Sequence, residues 1–375
     1  MQVQGKPYRT IWWDDAEGCV RIIDQSLLPH EFRIAALRDP AEVAAAIREM
    51  RLRGAPLIGA AAAFGLALAL RADPSPAAEE RAAAALAATR PTAVNLAWAL
   101  ARVRREIAAR PAAERAATAL AAAQRIADED AAACGRIGEH GMTLLRELWA
   151  RGPRESGRLD VLTHCNAGWL ATVDWGTALA AVYKAHAAGL PVHVWVDETR
   201  PRRQGASLTA WELGEHGVPH TLVTDTQAGH LLQRGRVDVC LVGSDRTTAH
   251  GDVCNKIGTY LVALAARDNG VPFYAAVPLS SVDFATGDGV AEIPIEERDP
   301  REVTEVSGRT ADGRLETVRI APRGTPAANF AFDVTPARLV TGIVTELGVY
   351  PATPAGMTAL RAAAGEAVTT GGPRV

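Results

Sequence analysis

Between residues 159 and 277 the chain repeats one pattern: a short apolar run that stops at a polar residue, followed by a stretch with helical spacing. Residues 159–164 open the series; Val192–Val196 ends in Asp197, His220–Thr224 in Asp225, Val237–Gly243 in Ser244-Asp245-Arg246, and Pro272–Val277 in Pro278. Helical segments at Trp175–Ala188, Ser207–His216 and Lys256–Asp268 fill the gaps. Short β-rich runs alternating with helices of this length predict βαβ units with right-handed crossovers. The fold class is therefore α/β, with a Rossmann-like, doubly wound parallel sheet. Ligands bind such sheets at the carboxyl ends of the strands. Cys165, Asp197, Asp225 and Asp245 are predicted to share that rim.

The region upstream reads differently. Tyr8–Asp14, Cys19–Asp24 and Glu31–Ala36 predict a small β-meander. From Asp39 to about Ala150 the chain is rich in Ala, Leu, Arg and Glu, with breaks at Arg53–Pro56, Asp73–Pro76 and Arg90-Pro91. Leu, Ile, Val and Trp recur there at helical spacing, which predicts packed helices rather than a low-complexity tract. Two domains follow: a β-meander and helical domain over 1–150, and a Rossmann-like catalytic domain over 151–375. Gly152–Gly157 reads as the linker. A polar, β-prone excursion near 288–325 predicts an extended hairpin, with strands at Glu302–Val306 and Leu315–Ile320. The tail from Ala364 is expected to be disordered.

Composition removes several function classes. The net charge of −3 over 375 residues gives no basic field for nucleic acid. Five cysteines without CxxC spacing point away from a disulfide scaffold or a zinc site and towards a reducing cytoplasm. His216 and His220 are separated by helix-breaking Gly217 and Pro219, so no metal pair is expected. The N-terminal residues lack the apolar core of a secretory signal. Gly54–Leu70 is uncharged but short and interrupted by Pro56, and reads as a buried helix rather than a membrane span.

Candidate chemistry gathers at a few turns. Cys165 lies in Thr163–Gly168, THCNAG, and a helix N-terminus after Asn166-Ala167-Gly168 would favour its thiolate. Asp245 follows an apolar strand, where desolvation raises a carboxyl pKa and suits a general acid. Arg53-Gly54-Ala55-Pro56 places an arginine beside free N–H groups at a helix start, an arrangement suited to a phosphate. Arg90 precedes Pro91 in the same way. Asn255-Lys256 is expected to open the helix over Ile257–Arg267, with Lys256 as a point-charge phosphate ligand. Asp197 and Glu198, near Arg200, Arg202 and Arg203, are expected to form an ion-pair network shaping the pocket. No Walker A loop and no GxGxxG follows any strand, so neither ATP nor NAD has a cradle.

With these residues in hand, the chain resembles the methylthioribose-1-phosphate isomerases. The resemblance rests on RGAP at 53–56, RPTAVNL at 90–96, THCNAG at 163–168 and DETRP with Gln204-Gly205. It continues in GDVCNKIGTY at 251–260, IPIEERDP at 293–300 and AFDVTP at 331–336. GSDR stands where the family usually has GADR. The wider family includes regulatory subunits of the translation-initiation guanine nucleotide exchange factor and other ribose-phosphate isomerases. The resemblance implies catalytic Cys165 and Asp245, and substrate binding by Arg53, Gly54, Ala55, Arg90, Gln204, Asn255 and Lys256. It also implies a homodimer that uses no metal or other cofactor and acts on a small sugar phosphate. Two alternatives stay open: an isomerase of another 1-phosphoribose, such as 5-deoxyribose 1-phosphate, and a non-catalytic sensing subunit. Proton transfer and hydride shift are both compatible with the residues.

Overall fold

The structure, a computed structural model, describes residues 1–90, 94–152 and 156–369. A short hairpin of β1 (Gln2–Val3) and β2 (Lys6–Pro7) precedes an antiparallel meander of β3 (Ile11–Asp14), β4 (Cys19–Ile23) and β5 (Ile34–Leu37). Then come α1 (Pro40–Arg48), α2 (Ala55–Ala72), α3 (Pro76–Ala87), α4 (Val94–Ile107) and α5 (Ala112–Ala150). Asp39 and Ser75 cap α1 and α3 by accepting from Glu42 and Ala78 N–H groups, each with Pro in the first turn. The expected helix start at Pro91 lies outside the described residues, as do residues 153–155 of the expected linker at 152–157.

The second half runs β6 (Leu159–Thr163), α6 (Ala178–Ala187), β7 (Val192–Asp197), α7 (Ala210–Glu215), β8 (His220–Val223), α8 (Gln227–Gln233) and β9 (Val239–Val242). It continues with β10 (Arg246–Thr248), β11 (Val253–Lys256), α9 (Thr259–Asp268), β12 (Phe273–Ala276), β13 (Val282–Asp283), α10 (Gly289–Glu292) and α11 (Arg301–Thr304). The hairpin β14 (Glu305–Arg309) and β15 (Leu315–Arg319), then β16 (Phe332–Thr335), β17 (Gly342–Thr345), β18 (Gly348–Pro351) and α12 (Pro354–Thr369), complete the described chain.

The main sheet has the order β18-β17-β12-β9-β6-β7-β8, parallel throughout except for the β17–β18 edge pair. Counting only its parallel strands in chain order, this is the doubly wound arrangement 3-2-1-4-5-6. Strand order reverses between β6 and β9, where Val161 pairs with Val239 and Leu162 with Cys240. A second sheet, β13-β10-β11-β16, stands beside the rim and carries β11 into it.

Three apolar clusters hold the chain. One joins the meander to α1–α5 through Ile22, Phe64 and Leu100; the others lie on the two faces of the main sheet. Helix α5 belongs to two of them: Ala119–Ile126 packs on α2, whereas Ile137, Leu144 and Leu145 pack with α6 and the sheet. By length and composition α2 alone among the described helices could cross a membrane, but 83% of that stretch is buried inside the protein.

Several expectations need correction. The strand β17 and its partner β18 went unrecognised in the sequence. The 175–188 helix begins only at Ala178, because Trp169–Ala171 forms a 3-10 turn and a loop intervenes. Lys256 does not open a helix: it ends β11, and α9 starts at Thr259 after Gly258 at φ 104°. The tail is not disordered from Ala364, since α12 runs to Thr369 with Ala364 buried against the sheet.

Candidate active site

At the point where strand order reverses, the carboxyl ends of β6 and β9 diverge and leave a cleft. Its lining includes Arg53, Gly54, Ala55, Arg90, Cys165, Gln204, Asp245, Asn255 and Lys256. All nine residues singled out in the sequence thus meet in one place, although 203 positions separate the first from the last.

Cys165 lies two residues past the end of β6 and has φ 67°, a left-handed conformation uncommon for a residue with a side chain. Two hydrogen bonds pin it: its N–H donates to Thr199 Oγ1 at 2.8 Å, and Thr209 Oγ1 donates to its carbonyl at 2.8 Å. The conformation turns the thiol into the cleft. The expected thiolate is not supported. Burial pushes the Cys165 thiol pKa up, against the opposing pull of Arg53 and Lys256, and no full helix begins beside it.

Asp245 follows β9, with its N–H bonded to the carbonyl of Cys254 at 2.9 Å. Burial raises its carboxyl pKa, while Lys256, Arg90 and Arg53 pull it down. Lys256 is the reciprocal case: burial lowers its ammonium pKa, and Cys165 and Asp245 hold it up. Its Nζ sits 4.9 Å from the centre of the Phe332 ring.

The helical half supplies the opposite wall. Gly54, at φ 109°, brings the α2 N-terminus so close to Ala171 that a Cβ would run into the Ala171 main chain. No side chain caps α2, whose first residues Ala55 and Pro56 line the cleft. Arg53 is buried, with Nη1 and Nη2 donating to Asn166 Oδ1 and the Asn166 carbonyl, each at 2.7 Å. Arg90 pairs with Glu296 at 3.2 Å, yet its Nε has no partner; the buried Gln204 likewise leaves Oε1 unpaired. Buried polar atoms without partners are rare, and here they mark positions that a polar ligand would satisfy.

Residues missed in the sequence complete the site. Arg298 reaches the cleft from the excursion, held by Glu296 and Glu302 at 2.9 Å each. Phe332 comes from β16 and Asn166 from the loop after Cys165. His164 lies beneath Cys165: its Nδ1 meets Asp197 Oδ2 at 3.0 Å and its Nε2 meets the Ile257 carbonyl at 2.8 Å. Asp197 therefore pairs with His164, not with the neighbouring arginines. Arg202 pairs instead with Glu302 at 2.6 Å, Arg200 donates to the Val303 carbonyl, and Arg203 to the Ser307 carbonyl. The expected network points outward, fastening the excursion over the rim.

His164, Asp197 and Asp225 are the one His/Cys/Asp/Glu group among the described residues close enough to hold a metal. Both His164 nitrogens are engaged, however, and Asp225 accepts Thr199 and Arg200 N–H groups at 2.6 and 2.7 Å. These atoms hold strand ends together.

Comparison with known proteins agrees with this geometry. The Initiation factor 2 subunit family matches residues 51–352. A "Methylthioribose-1-phosphate isomerase" of Methylobacterium nodulans is 61% identical over 357 residues, covering 95% of this chain and 97% of that protein. The crystal structure of 5-methylthioribose 1-phosphate isomerase from Pyrococcus horikoshii OT3 superposes with TM-score 0.81 at 41% identity, covering 96% of this chain and 99% of the other. A structure titled translation initiation factor eIF-2B, subunit delta, from A. fulgidus gives TM-score 0.74 at 38% identity, covering 92% and 96%. The chain belongs to the Initiation factor 2 subunit family, on the branch of the methylthioribose-1-phosphate isomerases.

Proposed function

We propose that this protein is an aldose–ketose isomerase of methionine salvage, converting 5-methylthioribose 1-phosphate to 5-methylthioribulose 1-phosphate. The observation that carries this reading is a cleft combining a buried thiol, a carboxyl with raised pKa and a set of buried cations. The 61% identity to a named isomerase supports it.

The anomeric phosphate locks the ring, so the enzyme must open it by acid catalysis. Asp245, whose carboxyl pKa burial raises, donates a proton to the ring oxygen as the C1–O bond breaks, and later accepts the C2 hydroxyl proton as the ketone forms. Hydrogen moves from C2 to C1 between these steps. A neutral Cys165 fits a hydride shift, which needs an apolar surface and no base to take the C2–H hydrogen as a proton, better than proton abstraction by a thiolate. Arg53, Arg90, Lys256 and the α2 N-terminus hold the phosphate, while Gln204 and Asn255 orient hydroxyl groups.

We read residues 1–150 as a substrate-holding domain and the remainder as the catalytic one. We also infer a cytoplasmic homodimer, supported by five free cysteines and by apolar side chains exposed on and beside the excursion, among them Leu315, Val318, Ile320 and Phe330. A dimeric mass by light scattering is expected at micromolar concentration.

Turnover on a panel of 1-phosphoriboses varied at C5 tests the function. Preference for the methylthio compound supports it, preference for 5-deoxyribose 1-phosphate replaces the substrate, and no turnover on any member favours a sensing subunit.

A further inference from the structure

Arg53 is a buried cation, and what balances it lies behind the site. Asn166 receives both of its N–H donors, and the Asn166 Nδ2 group in turn donates to Glu212 Oε1 and, at 3.1 Å, to Thr209 Oγ1. Glu212, on α7, is fully buried. Its second oxygen accepts the Leu170 N–H at 3.4 Å, and the buried, unpartnered hydroxyl of Tyr183 on α6 faces it. Gly168 makes room for this carboxyl, because a Cβ there would occupy the space of its oxygens. Among the described residues, Arg53 and Tyr183 are the ionisable groups acting most on it, and the adjacent His216 meets the Glu212 carbonyl through Nδ1 at 2.8 Å.

This chain has one polarity. Arg53 can only donate and a carboxylate can only accept, so the amide between them has a single satisfied orientation. The same chain also carries charge. An empty site holds one buried cation one amide away from one buried carboxyl; a bound phosphate adds further negative charge on the far side of Arg53. Resting on the function proposed above, we propose that Glu212 is the positioning residue of the phosphate clamp: it fixes Arg53 through Asn166 and takes up a proton when the substrate phosphate binds.

Burial already pushes Glu212 up to about 7, so near neutrality the empty protein holds it partly ionised. Phosphate at Arg53 raises it further, and binding then draws in up to about half a proton at pH 7. Affinity therefore falls as pH rises and Glu212 ionises.

Three proteins test this: wild type, Glu212→Gln and Glu212→Ala. The alanine variant loses the acceptor for Asn166, and its KM is expected to rise about tenfold or more at every pH. The glutamine variant keeps an acceptor, so at pH 6 its KM should match wild type, with kcat within about twofold. Between pH 6 and 8 the ratio of wild-type KM to that of Glu212→Gln should climb several-fold. The phosphate's own ionisation is common to both and cancels. Calorimetry with the substrate–product mixture, in two buffers of different ionisation enthalpy, should show less proton uptake by the glutamine variant. If the alanine variant does not fold, the glutamine comparison alone decides. A constant KM ratio, or equal proton uptake, overturns the proposal. Absence of wild-type turnover would instead overturn the function on which it rests, a distinguishable result.

Discussion

The two walls of the cleft are built by opposite means. The helical wall offers Arg53, Gly54 and Ala55 from a helix start, where unpaired N–H groups and a positive dipole come with any α-helix. The sheet wall offers Cys165 and Asp245 from diverging strand ends, where apolar neighbours strip water from both groups and raise both pKa values. In the function proposed, binding rests on this helix start together with the side chains of Arg53, Arg90 and Lys256. In the same proposal, chemistry rests on two side chains in places that disfavour their charged forms. The difference teaches that holding and reacting can fail independently here.

The sharpest way to break this comparison is to change the reacting wall alone. Cys165→Ser and Asp245→Asn alter little volume and should leave folding intact. Loss of the general acid in Asp245→Asn should cut kcat by about a hundredfold to ten-thousandfold, with substrate still bound. Steady-state kinetics paired with equilibrium binding would read both; near-normal turnover in either variant would erase the division.

The reverse experiment weakens the holding groups. Arg90→Ala and Lys256→Ala each remove a charged contact worth roughly 1.5–3 kcal/mol, so binding should weaken about tenfold to a hundredfold. Unchanged saturation curves for both would place the phosphate elsewhere.

Titration sharpens the comparison further. A raised Asp245 pKa keeps its acid form present to higher pH, and a lowered Lys256 pKa ends its charge sooner. Both act in one direction, so kcat/KM should decline on the alkaline side as Asp245 ionises and Lys256 deprotonates. Cys165, with its thiol pKa raised, should react with iodoacetamide slowly at pH 7, and faster only well above it. Rapid alkylation at neutral pH would restore the thiolate and the proton-transfer route.

Chelation is expected to do least. Both His164 nitrogens are engaged, one by Asp197 Oδ2 and one by the Ile257 carbonyl, and Asp225 accepts two backbone N–H groups, so although Asp197 Oδ1 lacks a partner, exhaustive EDTA treatment should leave turnover unchanged. A loss reversed by a divalent cation would reassign that cluster.

The parallel sheet was legible because its strands are buried on both faces and read as apolar runs ending in polar residues. Cys165, Asp245 and the RGAP turn were legible for a related reason: strand ends and helix starts leave local marks. Glu212, which supports the cleft from behind, left none. Arg298 lay inside the quoted segment at 293–300, yet nothing local showed that it reaches the cleft from the excursion. The orientation of the Arg200–Arg203 cluster was missed because a charge can pair with any carboxylate the fold brings near. The thiol of Cys165 was misjudged for the same kind of reason. A helix start predicts thiolate stabilisation, but the desolvation opposing it depends on which other elements pack around the cleft. What the sequence determined by itself was periodicity and punctuation, since hydrogen-bond geometry imposes these locally on every chain. Only the tertiary structure decided which charges meet and which are dry, because burial and Coulomb energy depend on distance through space and not along the chain.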